Sequence, residues 1–120
     1  MNDSPSTDLR AIAQKLQKFN ADRDWDQFHS PRNLAMAVSV EAAELLECFL
    51  WVKDGEPIPP EKRDHIAEEA ADVLICLVNF CTQANIDLPA AFEGKFAKNE
   101  SKYPIDKARG SRAKYDELNC

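Results

Sequence analysis

The chain predicts an all-α fold, and three observations carry that prediction. Apolar residues recur at helical spacing in four stretches. Proline and glycine interrupt the chain between those stretches rather than inside them. No run alternates apolar and polar residues as a half-buried strand would. At 120 residues the chain is long enough for one domain that buries about two thirds of its unfolded surface. It shows no internal repeat of roughly 20 to 50 residues. The expected architecture is a four-helix bundle over residues 1–103 with two long central helices, followed by a polar tail, 104–120, that is extended or mobile.

The central element is the run from Leu34 to Val52, rich in Ala, Leu and Met, which favour helix. At about 100° per residue, Leu34, Ala37, Val38, Leu45, Cys48 and Val52 fall within roughly 60° of Glu41, so an acid sits in the middle of an apolar face. Leu46, Phe49 and Leu50 make the opposite side apolar too. A helix greasy nearly all round is buried, by its own domain or by another chain. Ser30 caps its start and Pro31 fills the first position, where no N–H is needed. Gly55 and the three prolines of KDGEPIPP stop it and form a hinge.

The flanking helices follow the same rules. Ser6, Thr7 and Asp8 are candidate caps for a first helix near residues 8–20, with Leu9, Ile12, Leu16 and Phe19 on one face. The connector ADRDWDQFHSPRN carries Trp25, Phe28 and His29, aromatics that either plug the bundle end or face a ligand. A third helix, about Glu61 to Ala84, sets Glu69 among Ile66, Val73, Cys76 and Phe80, with His65, Glu68, Asp72 and Asn79 as a polar stripe beside it. Asp87, Leu88 and Pro89 open a fourth, to about Tyr103, whose buried face reads Leu88, Phe92, Phe96 and Tyr103. Asn99 falls within that face, and Lys95 lies at its edge one turn earlier.

Composition excludes several classes. A net charge of −6 argues against a general nucleic-acid grip, which needs a basic surface, and no uncharged apolar run reaches the roughly 18 residues of a membrane span. No signal peptide is read at the N-terminus. Of the four cysteines, Cys48, Cys76, Cys81 and Cys120, none forms a CxxC pair and three lie in apolar helical stretches. They read as reduced thiols, which points to the cytoplasm.

The chemistry lies in the acids. Glu41 with Glu44, and Glu69 with Asp72, are i,i+3 pairs on two helices joined by a short hinge, hence antiparallel neighbours. Burying an uncompensated carboxylate is costly, so four converging acids call for a cation. Oxygen ligands with no Cys or His set suit Mg²⁺, or Mn²⁺ as a substitute, shared with substrate phosphates. Metal would also reconcile an acidic protein with a polyphosphate substrate. A di-iron bundle would want His three residues after the acids, and neither pair has one.

The blocks RDWDQFHSPRNLAMAVSVEAAELLECFLW, KDGEP, EEAADVLICLV and KFAKNESKYP, spanning about residues 9–115, resemble the MazG-like nucleotide pyrophosphohydrolases of the all-α NTP pyrophosphatase superfamily, especially their short dCTPase-like branch. The resemblance implies hydrolysis of a nucleoside triphosphate to the monophosphate and pyrophosphate, with Mg²⁺ held by Glu41, Glu44, Glu69 and Asp72 and one acid, Glu41 or Glu44, taking the proton of the attacking water. It implies that Lys95 and Asn99 reach the phosphates and that Trp25, His29 and Trp51 form the base pocket. It also implies that Arg109, Lys114 and Tyr115 close over the site, and that the chain works as a homo-oligomer, dimer or tetramer. Animal dCTP-specific members tend to have His where this chain has Leu16 and Tyr where it has Cys76, so a broader deoxynucleotide preference is expected. The alternatives are a dUTPase-like or phosphoribosyl-ATP hydrolase relative, or a non-catalytic helical oligomer that binds nucleotide or metal.

Overall fold

In the computed structural model, residues 8–118 are described, and all regular secondary structure among them is helical. The helices are α1 (Leu9–Asp22), α2 (Pro31–Glu47), α3 (Pro60–Gln83), α4 (Leu88–Lys102), α5 (Ile105–Ala108) and α6 (Tyr115–Leu118), with a 3₁₀ turn at Asp26–Phe28. The chain divides into two compact units, one before and one after the boundary between Ile86 and Asp87. The expected caps Ser6 and Thr7 lie outside the described residues, as does Cys120.

In the first unit, α2 packs along α3, and α1 also packs against α3. The start signals hold: the Asp8 carboxylate accepts from the Ala11 amide at 2.8 Å, and the Ser30 hydroxyl accepts from the Asn33 amide at 3.1 Å with Pro31 in the first turn. Each satisfies one of the donors a helix start leaves free. α1 ends in a Schellman turn, with Asp24 in the left-handed region (φ 54°) and the Trp25 amide donating back to the Asn20 carbonyl at 3.0 Å. α3 ends the same way at Asn85, with Ile86 donating to Cys81 at 2.8 Å. In both, a residue that tolerates left-handed backbone reverses the chain without glycine. Gly55 takes the positive φ expected of the hinge, 86°.

The packed face of α2 is the one the helical wheel drew: Leu34, Ala37, Val38, Glu41, Leu45 and Cys48, with Val52 beyond the helix end, are its buried or half-buried positions. The helix itself stops five residues earlier than the apolar run. From Cys48 the amides donate three residues back, Cys48 to Leu45, Phe49 to Leu46 and Leu50 to Glu47, a tightening that ends with Trp51 at φ 65° and its side chain 98% exposed. The opposite face of α2 and of the turn that follows it is bare, with Met36, Val40, Leu46 and Leu50 all exposed. Among the described residues the well-buried apolar side chains are Leu34, Val78 and Cys81.

Three expectations change. Asn79, expected as one more member of the polar stripe beside Glu69, ends that stripe in the core: it is buried and accepts a hydrogen bond from Asn20 across the α1–α3 contact at 3.1 Å. The α4 face expected to be buried is open, with Phe92 and Phe96 exposed and stacked on each other at 5.6 Å between centroids. The segment after Pro104 carries two single-turn helices instead of running extended: Pro104 presets the backbone at the start of α5, and the Tyr115 ring of α6 meets Tyr103 edge-on at 6.4 Å and the Lys102 ammonium at 4.6 Å.

Replacing Ser30 by Ala should cost about 1 kcal/mol of unfolding free energy, and Ser30→Asp should retain it; urea denaturation of the three proteins measures the difference.

Candidate metal centre and adjoining cavity

The site is built where the acid faces of α2 and α3 meet. Glu41, Glu69 and Asp72 each bring a carboxylate oxygen to within 4.8 Å of the others. Glu44, one turn on from Glu41, is close enough to act on both glutamates. The Glu41 carboxyl is raised above the ordinary 4.5 first by its hydrogen bond with Glu44, then by burial and by the charges of Glu44, Asp72 and Glu69. Glu69 is raised mainly by burial, then by the charge and hydrogen bonding of Glu44; His65, whose Nε2 lies 3.6 Å from Glu69 Oε1, pulls the other way. One oxygen of each, Glu41 Oε2 and Glu69 Oε2, is buried with no hydrogen-bond partner.

This donor set fits a hard divalent cation. Orphaned carboxylate oxygens that repel each other are what such an ion neutralises, and opposite ligands across a Mg²⁺ stand about 4.2 Å apart, a small adjustment from the spacing here. The acids also border a polar cavity of about 560 Å³, where Glu44 and Glu69 are joined by Glu47, Lys62 and His65.

A second cavity of about 540 Å³ adjoins the cluster between α1, the connector and the α2 and α3 faces. Its walls include Leu16, Phe19, Trp25, Phe28, His29 and Cys76. Trp25 reaches it because the Schellman turn folds the chain back at Asp24; its ring meets Phe19 edge-on at 5.5 Å and His29 at 6.5 Å. Gln83 of α3 ties down the connector through Asp26 at 3.4 Å. His29 Nδ1 is buried without a partner. Cys76 borders both places: it lines the cavity, and its thiol is pushed up by burial and then by the charges of Glu41 and Asp72.

Of the residues singled out in the sequence, the fold thus brings Glu41, Glu44, Glu69 and Asp72 together, and sets Trp25 and His29 in the adjoining cavity. Trp51 does not line that cavity. Lys95 and Asn99 stand one turn apart on α4, in the second unit. The cysteines Cys48, Cys76 and Cys81 are free thiols. Sequence reasoning passed over Asn20, which lines the cavity with Asn79. Its signal was available, since it lies four residues after Leu16 on the apolar face of α1.

Residues 36–118 match the sequence profile of the MazG-like family. The chain belongs to the MazG-like family. Its curated relatives include dCTP pyrophosphatase 1 of Homo sapiens, 44% identical over 119 residues, and that of Rattus norvegicus, 43% identical over 119 residues; each alignment covers 96% of this chain and 70% of the relative. This MazG-like chain also superposes on the crystal structure of a pyrophosphatase from Archaeoglobus fulgidus with a TM-score of 0.76 and 34% identity, covering 87% of this chain and 99% of the other. Among the described residues no single helix is long and apolar enough to cross a membrane.

The raised carboxyls make stability without metal pH-dependent in a defined direction. Glu41 and Glu69 keep their protons to higher pH folded than unfolded, so the stability this confers is full below pH 4.5 and is lost as pH rises through the raised values. In EDTA, Glu41→Gln should therefore melt higher than wild type at pH 7.5 and show a flatter pH dependence. Adding Mg²⁺ should raise the wild-type midpoint by several degrees, as about 2.7 kcal/mol at a 100-fold excess over Kd implies. Thermal melts from pH 5 to 8 test both.

Proposed function

We propose that the chain is a Mg²⁺-dependent nucleoside triphosphate pyrophosphohydrolase, with Mn²⁺ able to substitute, that clears pyrimidine deoxynucleotides such as dCTP or modified dCTP from the nucleotide pool. The observation that carries this reading is adjacency: an aromatic-walled cavity sized for a base and sugar shares Cys76 with a cluster of carboxylates. A nucleotide with its base in the cavity would bring its phosphates toward the acids. The dCTP pyrophosphatases among the relatives support the substrate class.

Glu41, Glu44, Glu69 and Asp72 would hold the cation. When bound, it supplies positive charge to the triphosphate and to the leaving pyrophosphate. Water attacks the α-phosphorus; a new P–O bond forms as the bond to the bridging oxygen of pyrophosphate breaks. The water's proton passes to Glu41 or Glu44, which lie one turn apart on α2. Trp25 presents a flat apolar surface for the base, and His29 Nδ1 offers an unused hydrogen-bonding position. Lys95 and Asn99, on one face of α4, reach the phosphates in this reading.

The working form is a homo-oligomer. The exposed row of Met36, Val40, Leu46 and Leu50 along α2 is a surface that a soluble monomer does not leave to water. Trp51, outside its own cavity and almost fully exposed on left-handed backbone, joins the base site of a neighbouring copy. The free thiols suit a reducing cytoplasm.

Pyrophosphate release should require Mg²⁺, stop in EDTA, and favour pyrimidine deoxynucleotides over purines across a triphosphate panel. Glu41→Ala and Asp72→Ala should each lower it by at least about 100-fold while the protein still folds; a normal rate in either would remove the acids from the reaction. Trp51→Ala should act mainly on KM. Separately, Leu46→Glu combined with Leu50→Glu should reduce the mass in solution to that of the monomer, as read by light scattering.

A further inference from the structure

Asn20 of α1 and Asn79 of α3 are the buried polar side chains among the described residues, 5% and 8% exposed, and both line the cavity that the preceding reading gives to the base. Asn20 Nδ2 donates to Asn79 Oδ1 at 3.1 Å. An amide has two donors and an oxygen with two lone pairs, so this bond leaves the Asn20 oxygen and the Asn79 amino group for whatever fills the cavity. Among the other side chains of the cavity, His29 Nδ1 is buried without a partner; Leu16 and Cys76, one turn along each helix, bring no strong hydrogen-bonding group, and the Asn33 amino group is committed to the Phe28 carbonyl at 3.2 Å. Lys15 is exposed at the rim. A pair kept only for packing would be replaced at little cost by two apolar side chains, whereas half-satisfied buried amides are costly unless a ligand completes them.

We propose that the Asn20–Asn79 pair reads the hydrogen-bonding edge of the pyrimidine and accepts 4-amino and 4-oxo rings alike. The inference rests on the cavity being the base site. As it stands the pair displays an acceptor at Asn20 beside a donor at Asn79, the complement of a 4-amino ring, whose exocyclic amine donates beside the accepting N3. If both amides turn over about their last torsion, the bond between them is remade as Asn79 Nδ2 to Asn20 Oδ1. The display then becomes a donor at Asn20 beside an acceptor at Asn79, the complement of a 4-oxo ring with its N3–H. No hydrogen bond is lost in the exchange, so neither ring type is rejected by an unpaired group, which is the usual source of strong discrimination.

Asn20→Asp tests this, because an ionised carboxylate only accepts. It takes the bond from the Asn79 amino group, which turns the Asn79 oxygen toward the cavity, so both positions then display acceptors and each ring type meets one matched and one repelling group. Steady-state hydrolysis of dCTP and dUTP with Mg²⁺ at pH 8 is measured for wild type and variant. The expected result is a wild-type preference under about tenfold in kcat/KM, and a loss of at least about tenfold for dCTP and dUTP alike in Asn20→Asp. Asn79→Ala, which only removes atoms, keeps the proposal testable if the carboxylate prevents folding; it should raise KM for dCTP and dUTP by about tenfold each and leave kcat nearly unchanged. A wild-type preference above about 100-fold, an unchanged kcat/KM for either triphosphate in Asn20→Asp, or an unchanged KM in Asn79→Ala overturns the amide reading while leaving the pyrophosphohydrolase in place. Absence of pyrophosphate release from every triphosphate by wild type overturns both.

Discussion

Like-charge crowding inside an apolar helix interface is the constraint on which the rest of the first unit depends. Glu41 and Glu69 occupy the centres of the faces by which α2 and α3 meet, and each has one oxygen buried with nothing to bond. Water cannot relieve them fully, and their neighbours Glu44 and Asp72 add charge of the same sign. Such an interface closes favourably only when protons or a cation offset the repulsion. The arrangement makes chemical sense as one half of a charge-neutral complex whose other half is a divalent ion and the phosphates it accompanies.

The cavity is the continuation of the same helices. Two turns on from Glu69 the α3 face changes from acids to Cys76 and Asn79, and toward the start of α2 it changes to Leu34 and Ala37, so the polar and apolar parts of one groove are graded along two rigid elements. α1 and its Schellman turn complete the walls by returning Trp25 over the end of the helix. Because the acids and the aromatic walls sit on helices packed side by side, the distance between them is fixed by helical rise and not by a flexible loop. Precise placement of this kind is what a reaction at one phosphorus of a long, flexible substrate requires.

Much of this was legible because helical periodicity and local capping chemistry act over a few residues. The seven positions predicted to share the Glu41 face are the ones that pack, Ser30 caps as its hydroxyl and the following proline required, and Gly55 turns the hinge. What was not legible depended on contacts distant in sequence. The periodicity of α3 sets Asn79 in a polar stripe but does not name its partner, which α1 supplies from 59 residues away. The α2 helix ends before its apolar run does because the last turn tightens toward Trp51, a conformation that residue type does not announce. Phe92 and Phe96 illustrate the converse. Periodicity identifies an apolar face on α4 but does not say that the chain itself covers it, and here it leaves both rings open.

The bare side of α2 bears on the acid side of the same helix. Few side chains among the described residues are fully withdrawn from water, so the packing free energy available to hold α2 against α3 is modest. Covering Met36, Val40, Leu46 and Leu50 would add about 1.5 to 3 kcal/mol for each side chain taken fully out of water, less the cost of association. That sum is of the same order as the penalty for setting several carboxylates side by side. Assembly through the outer face and cation binding at the inner face would then be two contributions to one balance, both acting on the position of a single helix. A chain that met only one of the two conditions would carry its acids in a looser interface. Neutralisation of the site and burial of the opposite face would therefore be coupled through α2, without any further communicating element.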